Sequence, residues 1–170
     1  MPFAAGPGSA DVSTRMGWAW RELRRGPSTL VLIEELFGPP GGRDSVEPGH
    51  LDVLDLLSAG GDWRMSDLAA HLRVDPSTVT RTLQRMEAAG LAQRVPDDDD
   101  GRVVKVQVTA EGTRLHGVVA GRRAAIIEAA FRRFDDAERV QLVELLERFI
   151  DSVDEYAGDR VAESPAASSG

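Results

Sequence analysis

The sequence predicts a mainly α-helical chain that carries one small β-hairpin, and three observations predict it. Ser66 to Gly90, SDLAAHLRVDPSTVTRTLQRMEAAG, reads as two helices joined by a tight corner. Leu91 to Val108 reads as two short strands around an acidic turn. Apolar stripes at helical spacing flank this centre, from Met16 to Phe37 and from Leu115 to Tyr156.

Residues 1–12 are rich in Pro, Gly, Ala and Ser and are expected to form a disordered tail. From Ser13 to Phe37, Met16, Trp20, Leu23, Leu30, Ile33, Leu36 and Phe37 recur as in a helix. Gly26-Pro27 interrupts the pattern, so a kink or two helices are expected there. Trp18 and Trp20, two positions apart, cannot share a helical face. Either one of them meets a partner, a pocket or an interface, or both are ordinary core or rim aromatics. The breaker-rich stretch GPPGGRDS, residues 38–45, is a loop that closes the N-terminal segment 13–45.

Pro48 opens the next helix, with Leu51, Leu54, Leu57 and Ser58 on its buried face, Val53 flanking, and Gly60-Gly61 at its end. Asp62 to Met65 has room only for a small strand beside the later hairpin. Ser66 is then expected to cap a helix whose apolar stripe is Leu68, Ala69 and Leu72. The chain turns at Arg73 and Val74. Asp75-Pro76 restarts it, with Asp75 as N-cap and Pro76 at the first position, where no amide is missed. In this second helix Val79, Leu83 and Met86 point inward, Ser77, Thr78, Thr80, Arg81, Gln84 and Arg85 are left for the other faces, and Gly90 ends it.

Leu91 to Val95 is a short strand candidate. Arg102 to Val108 is a clearer one, since Val104, Val106 and Val108 alternate with Lys105 and Gln107. PDDDDG between them, with Asp100-Gly101 at its tip, makes the pair a β-hairpin. A helix-turn-helix followed at once by such a hairpin is a winged helix. Residues 46–108 are therefore a winged helix-turn-helix core, whose second helix is the type that enters a DNA major groove.

Residues 109–156 supply the closing helices. Thr109 caps the first, which runs to Phe134 with Glu111 in its first turn and Leu115, Val118, Val119, Ile126, Ile127 and Ala130 on its apolar face. Asp135 and Glu138 form a capping-box pair for the last helix, where Val140, Val143, Leu146, Phe149, Ile150, Val153 and Tyr156 follow at spacings of three and four. Residues 157–170 read as a disordered tail. The apolar faces at both ends exceed what a small winged helix needs as cover, and packing against a second copy, as a homodimer, is the economical use.

The formal net charge of −8 counts against a nucleic-acid partner until its distribution is considered. Residues 1–63 carry a net −4, residues 64–107 are neutral, and residues 108–170 carry −4. Phosphate affinity depends on the local face rather than the sum. The chain has no cysteine, which excludes disulfides and thiolate metal sites. No apolar run approaches the roughly 20 residues that span a bilayer, and the first residues lack a basic region followed by an apolar one. A soluble cytoplasmic protein with no membrane partner is expected. No cysteine nucleophile, phosphate-cradling glycine loop or histidine-acid set at useful spacing is present, so neither an enzyme nor a cofactor is expected.

With these elements in order, the sequence resembles the MarR family of bacterial transcriptional regulators. The resemblance rests on EPGHLDVLDLL, then MSDLAAHLRVDPSTVTRTLQRMEAAGLAQRV, then DDDDGRVVKVQVTAEG. The last piece carries the family's wing pattern: an acidic turn, an Arg two residues after an Asp, a strand, and Thr109 three residues before Gly112. The N-terminal region departs most, through Gly26-Pro27 and GPPGG. The resemblance implies a homodimer with interlocked terminal helices, a pseudo-palindromic double-stranded DNA site, and often a small phenolic or lipophilic effector that releases the DNA.

Arg81 and Arg85, four apart on one helical face, suit guanine N7 and O6, and Ser77, Thr78 and Thr80 suit phosphate or base-edge contacts. Gln84 shares the face. Arg102 matches the family's minor-groove wing arginine, and Asp100 would hold it when unbound, with Asp97 to Asp99 toward solvent. Trp18, Trp20, His50 and His116 are the candidates for an effector cleft. Two other readings stand beside this one: a winged helix used only for protein contacts, and a metal-sensing member of the family using His50 or His116 with nearby carboxylates, although no histidine pair has H-x-x-x-H spacing.

Overall fold

A computed structural model describes residues 11–60, 63–96 and 104–163. Of the tails expected at 1–12 and 157–170, residues 1–10 and 164–170 lie outside the described residues, as does the wing turn with Asp97 to Asp100 and Arg102. Gly26-Pro27 divides the N-terminal run into two helices, α1 (Val12–Arg25) and α2 (Pro27–Phe37). The Asp11 carboxylate accepts from the Thr14 amide at 2.7 Å, so α1 starts one residue before the expected Ser13. The Gly26 amide closes α1 on the Glu22 carbonyl, and Pro27 opens α2 without an amide to lose.

After the 38–45 loop, α3 (Pro48–Ser58) buries His50, Leu51, Val53, Leu54 and Leu57. Val53 belongs to the core rather than its edge, whereas Ser58, expected on the buried face, is only half-buried. The chain continues through β1 (Trp63–Arg64), α4 (Met65–Leu72), α5 (Pro76–Ala88), β2 (Ala92–Pro96) and β3 (Val104–Val108). The sheet is antiparallel in the order β1-β3-β2, with Trp63 opposite Val106 and Arg94 opposite the same valine on the other side. The short strand expected near 62–65 is thus β1.

Ser66 does not cap α4. The cap position falls to Arg64, and the Ser66 hydroxyl bonds the adjacent Asp67 carboxylate at 3.0 Å. Pairing of Arg64 with Lys105 holds the chain extended up to Met65 and starts the helix before the serine. At the corner Arg73 takes a left-handed backbone, φ 53°, which a glycine adopts at lower cost. Asp75 caps α5 as expected, its carboxylate accepting from the Ser77 amide at 2.7 Å, and Gly90 beyond the helix has φ 71°. The second strand begins at Ala92 rather than Leu91, because the Leu91 amide still bonds back to Met86.

One core joins these pieces. Leu54, Leu68, Val79, Leu83, Met86 and Val106 are each at most 1% exposed, and each large side chain removed from water contributes about 1.5 to 3 kcal/mol. Leu115 and Val119 from α6 (Ala110–Phe131) complete it. Thr109 and Gly112 fasten α6 to the end of the helix-turn-helix. The Thr109 hydroxyl donates to the Gly90 carbonyl at 2.6 Å and accepts from the Gly112 amide at 3.0 Å, and the Thr109 amide bonds the Leu91 carbonyl. A Cβ at Gly112 would collide with the Leu91 carbonyl oxygen and a Val108 methyl.

The chain divides within α6 into two compact units, at Ile126 and Ile127. In the second unit α6 ends at Phe131, three residues before the expected Phe134. Asp135 needs an extended backbone to cap α7 (Asp136–Glu163), so the preceding helix must stop first. The expected capping box forms, with Asp135 and Glu138 exchanging two 2.9 Å bonds, and the Arg139 guanidinium donates to the Phe131 carbonyl, which also accepts from the Phe134 amide. Helix α7 runs to Glu163, beyond the expected limit at Tyr156. Gly158 alone, at about 1 kcal/mol, does not stop a run with no proline before Pro165.

Gly112→Ala is expected to destabilise the protein by about 1 to 3 kcal/mol in urea unfolding. Gly117→Ala, on the same helix with nothing within 4 Å of the added methyl, is expected to be neutral or to stabilise by about 0.4 to 1 kcal/mol. Equal effects of the two would show that α6 does not need this close approach.

Candidate nucleic-acid interface and adjoining cleft

Helix α5 is anchored on one side and open on the other. Val79, Leu83 and Met86 are buried, while Ser77, Thr78, Arg81, Gln84 and Arg85 are exposed together on the outer face. Pro76 and the Asp75 cap define the N-terminal end, and hydrogen bonding by the Ser77 side chain, then by its amide, holds the Asp75 carboxyl below its usual range. Arg81 makes no hydrogen bond or ion pair among the described residues, so its fork of donors is available to a base edge or a phosphate.

Two expected contact residues stand differently. The Thr80 hydroxyl donates to the Pro76 carbonyl at 2.9 Å and the residue is half-buried at the edge of the outer face. Arg85, in the last turn, lies 3.5 Å from Glu47 at the start of α3, both side chains being mostly exposed. Such a pair is worth little and yields readily to a stronger anion. On the wing, Arg94 of β2 pairs with Glu87 of α5 at 3.0 Å and ties the strand to the helix. Arg102 and Asp100 lie outside the described residues.

The four residues expected at an effector cleft are not brought together. A cleft of about 820 Å³ opens between α2, the 38–45 loop, the start of α3 and the end of α5, and of the four only His50 lines it. Trp18 and Trp20 are exposed on α1, where no residue is buried, and the Arg21 guanidinium lies 3.8 Å over the Trp18 ring. His116 Nε2 is 2.8 Å from Asp55 Oδ1, and Arg123 reaches the same carboxylate at 2.9 Å. Helix α3 is thereby joined to α6. No group of three or more His, Asp or Glu side chains suited to a metal ion occurs among the described residues.

Sequence reasoning missed the acidic lining of this cleft, Glu34 and Glu47, and the clamp on its loop. In that clamp Arg114 donates to Asp44 at 2.8 Å and to Glu111, and Arg122 donates to the Asp44 carbonyl. The residues concerned are up to 78 positions apart, and no local pattern links them.

His50 is 6% exposed, and its Nε2 has no hydrogen-bond partner, with Glu47 Oε2 at 3.6 Å. Burial holds its pKa below the ordinary histidine value; Glu47 opposes this shift and Arg85 adds to it. A lowered folded pKa means that the unfolded chain takes up the proton first, so stability is full above the unfolded value of about 6.5 and is lost as pH falls below it. Urea midpoints are expected to drop between about pH 7.5 and pH 5.5, and His50→Gln is expected to flatten that drop. An unchanged slope in the variant contradicts the assignment.

A helix-turn-helix with an open outer face, a three-stranded wing and flanking helices defines a winged helix-turn-helix protein of the nucleic-acid-reading class. The profile of the MarR family matches residues 46–104. The HTH-type transcriptional repressor MdtR of Bacillus subtilis is 35% identical over 83 residues, 48% of this chain and 54% of MdtR. This chain thus spans about half the length of that relative. The HTH-type transcriptional regulator PecS of Dickeya dadantii is 32% identical over 121 residues, 69% of this chain and 73% of PecS. Streptococcus pneumoniae FabT, in its crystal structure in complex with DNA, shares the fold with a TM-score of 0.72 at 19% identity, covering 85% of this chain and 99% of that one. The chain belongs to the MarR family of transcriptional regulators. That is a family of regulators rather than enzymes, and no helix among the described residues is long and apolar enough to cross a membrane.

Proposed function

We propose that this regulator is a homodimeric repressor that reads a pseudo-palindromic DNA operator with α5 and is released when a small molecule fills the cleft beside that helix. The observation that carries the DNA reading is the outer face of α5: Ser77, Thr78, Arg81 and Gln84 are exposed and Arg81 is unpaired among the described residues, on a helix locked from behind by Val79, Leu83 and Met86. Arg81 is the base-reading residue in this proposal, and Ser77 and Thr78 at the helix N-terminus take phosphate or base edges. Arg85 exchanges Glu47 for the DNA, and Arg102, matched by resemblance to the family's wing arginine, is assigned to the minor groove. The repressor name of MdtR and the DNA complex of FabT support the same reading.

The dimer is supported by apolar side chains left in water. Leu23, Leu30 and Val31 are 63 to 73% exposed on α1 and α2, and Val140, Leu146, Ile150 and Tyr156 are 51 to 67% exposed on α7. Stripes of this kind mark association surfaces. The effector reading is supported by the position of the cleft, since Ala89 and Leu91 in its wall follow directly on α5.

Fluorescence anisotropy on a specific site and on scrambled DNA, over a range of salt, tests the proposal. Arg81→Ala is expected to cost about 1 to 3 kcal/mol on the specific site and much less on scrambled DNA. Affinity of the unaltered protein is expected to fall steeply with salt. Equal loss on both DNAs would make Arg81 a phosphate contact only. Absence of binding at low salt would overturn the DNA reading in favour of a winged helix used for protein contacts.

A further inference from the structure

We propose that the cleft beside α5 selects an apolar molecule carrying a protonated amine and discriminates against carboxylates. The proposal rests on the reading of this cleft as the effector site and names the chemical class it takes. At about 820 Å³ the cleft holds a body of several fused rings, within the roughly 300 to 1,000 Å³ usual for small-molecule sites. Its walls are mainly apolar, with Leu30, Ile33, Phe37 and Leu91 among them. The charged side chains lining it are Glu34 and Glu47, and no Lys or Arg is among the lining residues.

A carboxylate entering this cleft meets two like charges, and the nearest guanidiniums are engaged elsewhere, Arg122 by the Asp44 carbonyl and Arg85 by Glu47. An ammonium meets two carboxylates that provide a counter-charge between apolar walls, with Glu47 61% exposed and Glu34 exposed, so that water screens part of the attraction. The cation near Glu47 is Arg85, which stands at 3.5 Å and is 68% exposed, so it neutralises that carboxylate only weakly. His50 adds the directional partner. It lines the cleft, is 94% buried by its 6% exposure, and its Nε2 is without a hydrogen bond. In the tautomer protonated at Nδ1, His50 presents Nε2 as an acceptor for an ammonium N–H, a role it serves only toward a donor-bearing ligand.

Isothermal titration calorimetry of the full chain with naphthylmethylamine and with naphthoate tests the class, since the two probes share a ring system and differ in charge. The amine is expected to bind about tenfold more tightly than the carboxylate, because two partly screened carboxylates attract the one probe and repel the other. Glu34→Gln combined with Glu47→Gln is expected to remove most of that preference. Glu34→Gln alone, on an exposed position of α2, is expected to reduce it without affecting folding, which a thermal melt checks. Naphthoate binding as tightly as the amine overturns the proposal, as does no binding of the amine. The amine binding preferentially while the affinity for DNA stays unchanged upholds the ligand class and overturns the effector reading.

Discussion

The hydroxyl of Thr109 is the bond on which the geometry of the reading helix depends. It donates to the turn beyond α5, at Gly90, and accepts from the amide of Gly112, the third residue of α6. Because Thr109 follows β3 directly, one side chain fixes the end of the recognition helix, the base of the wing and the start of the long closing helix. Gly112 is what permits the approach, since any Cβ there would occupy the space of the Leu91 carbonyl. A hydrogen bond of this kind contributes about 0.5 to 1.5 kcal/mol, far less than the core beneath it. Its importance is positional: the buried Val79, Leu83 and Met86 hold α5 against the core, and Thr109 fixes where its end meets the wing and α6.

A second set of polar contacts links α6 to the N-terminal half of the first unit. Asp44 is held by Arg114 and Arg122, and Asp55 by His116 and Arg123. These pairs are partly exposed, and pairs of that kind contribute about 0 to 1 kcal/mol each. Like Thr109, they set register more than stability. The loop they hold forms one side of the cleft, and residues just after α5 form another. The cleft thus shares with the Thr109 bond the backbone just after α5, and this is the route by which the effector proposed above would act on that helix.

Most of the fold was legible because its punctuation is local. Asp75-Pro76, Gly90, Gly26-Pro27 and the Asp135–Glu138 pair each act within one turn of chain, and each appears where the residues placed it. The errors came where a distant segment overrode a local preference. Ser66 was displaced as a cap by pairing of Arg64 with β3, and the reach of α7 to Glu163 exceeded a boundary drawn from small residues alone. The outer face of α5 was legible from helical spacing, except that Thr80 spends its hydroxyl on Pro76. The cleft was legible only at His50, through the family resemblance, because Leu30, Phe37 and Leu91 are brought around it only by the tertiary fold.

The central claim is that two copies of α5 read DNA as a pair. Hydroxyl-radical footprinting on DNA selected by the protein from random sequence measures this directly. Two protected half-sites whose centres lie about one helical turn apart, ~34 to 36 Å, or a multiple of it, are expected. A single protected half-site, or protection without that spacing, would contradict it.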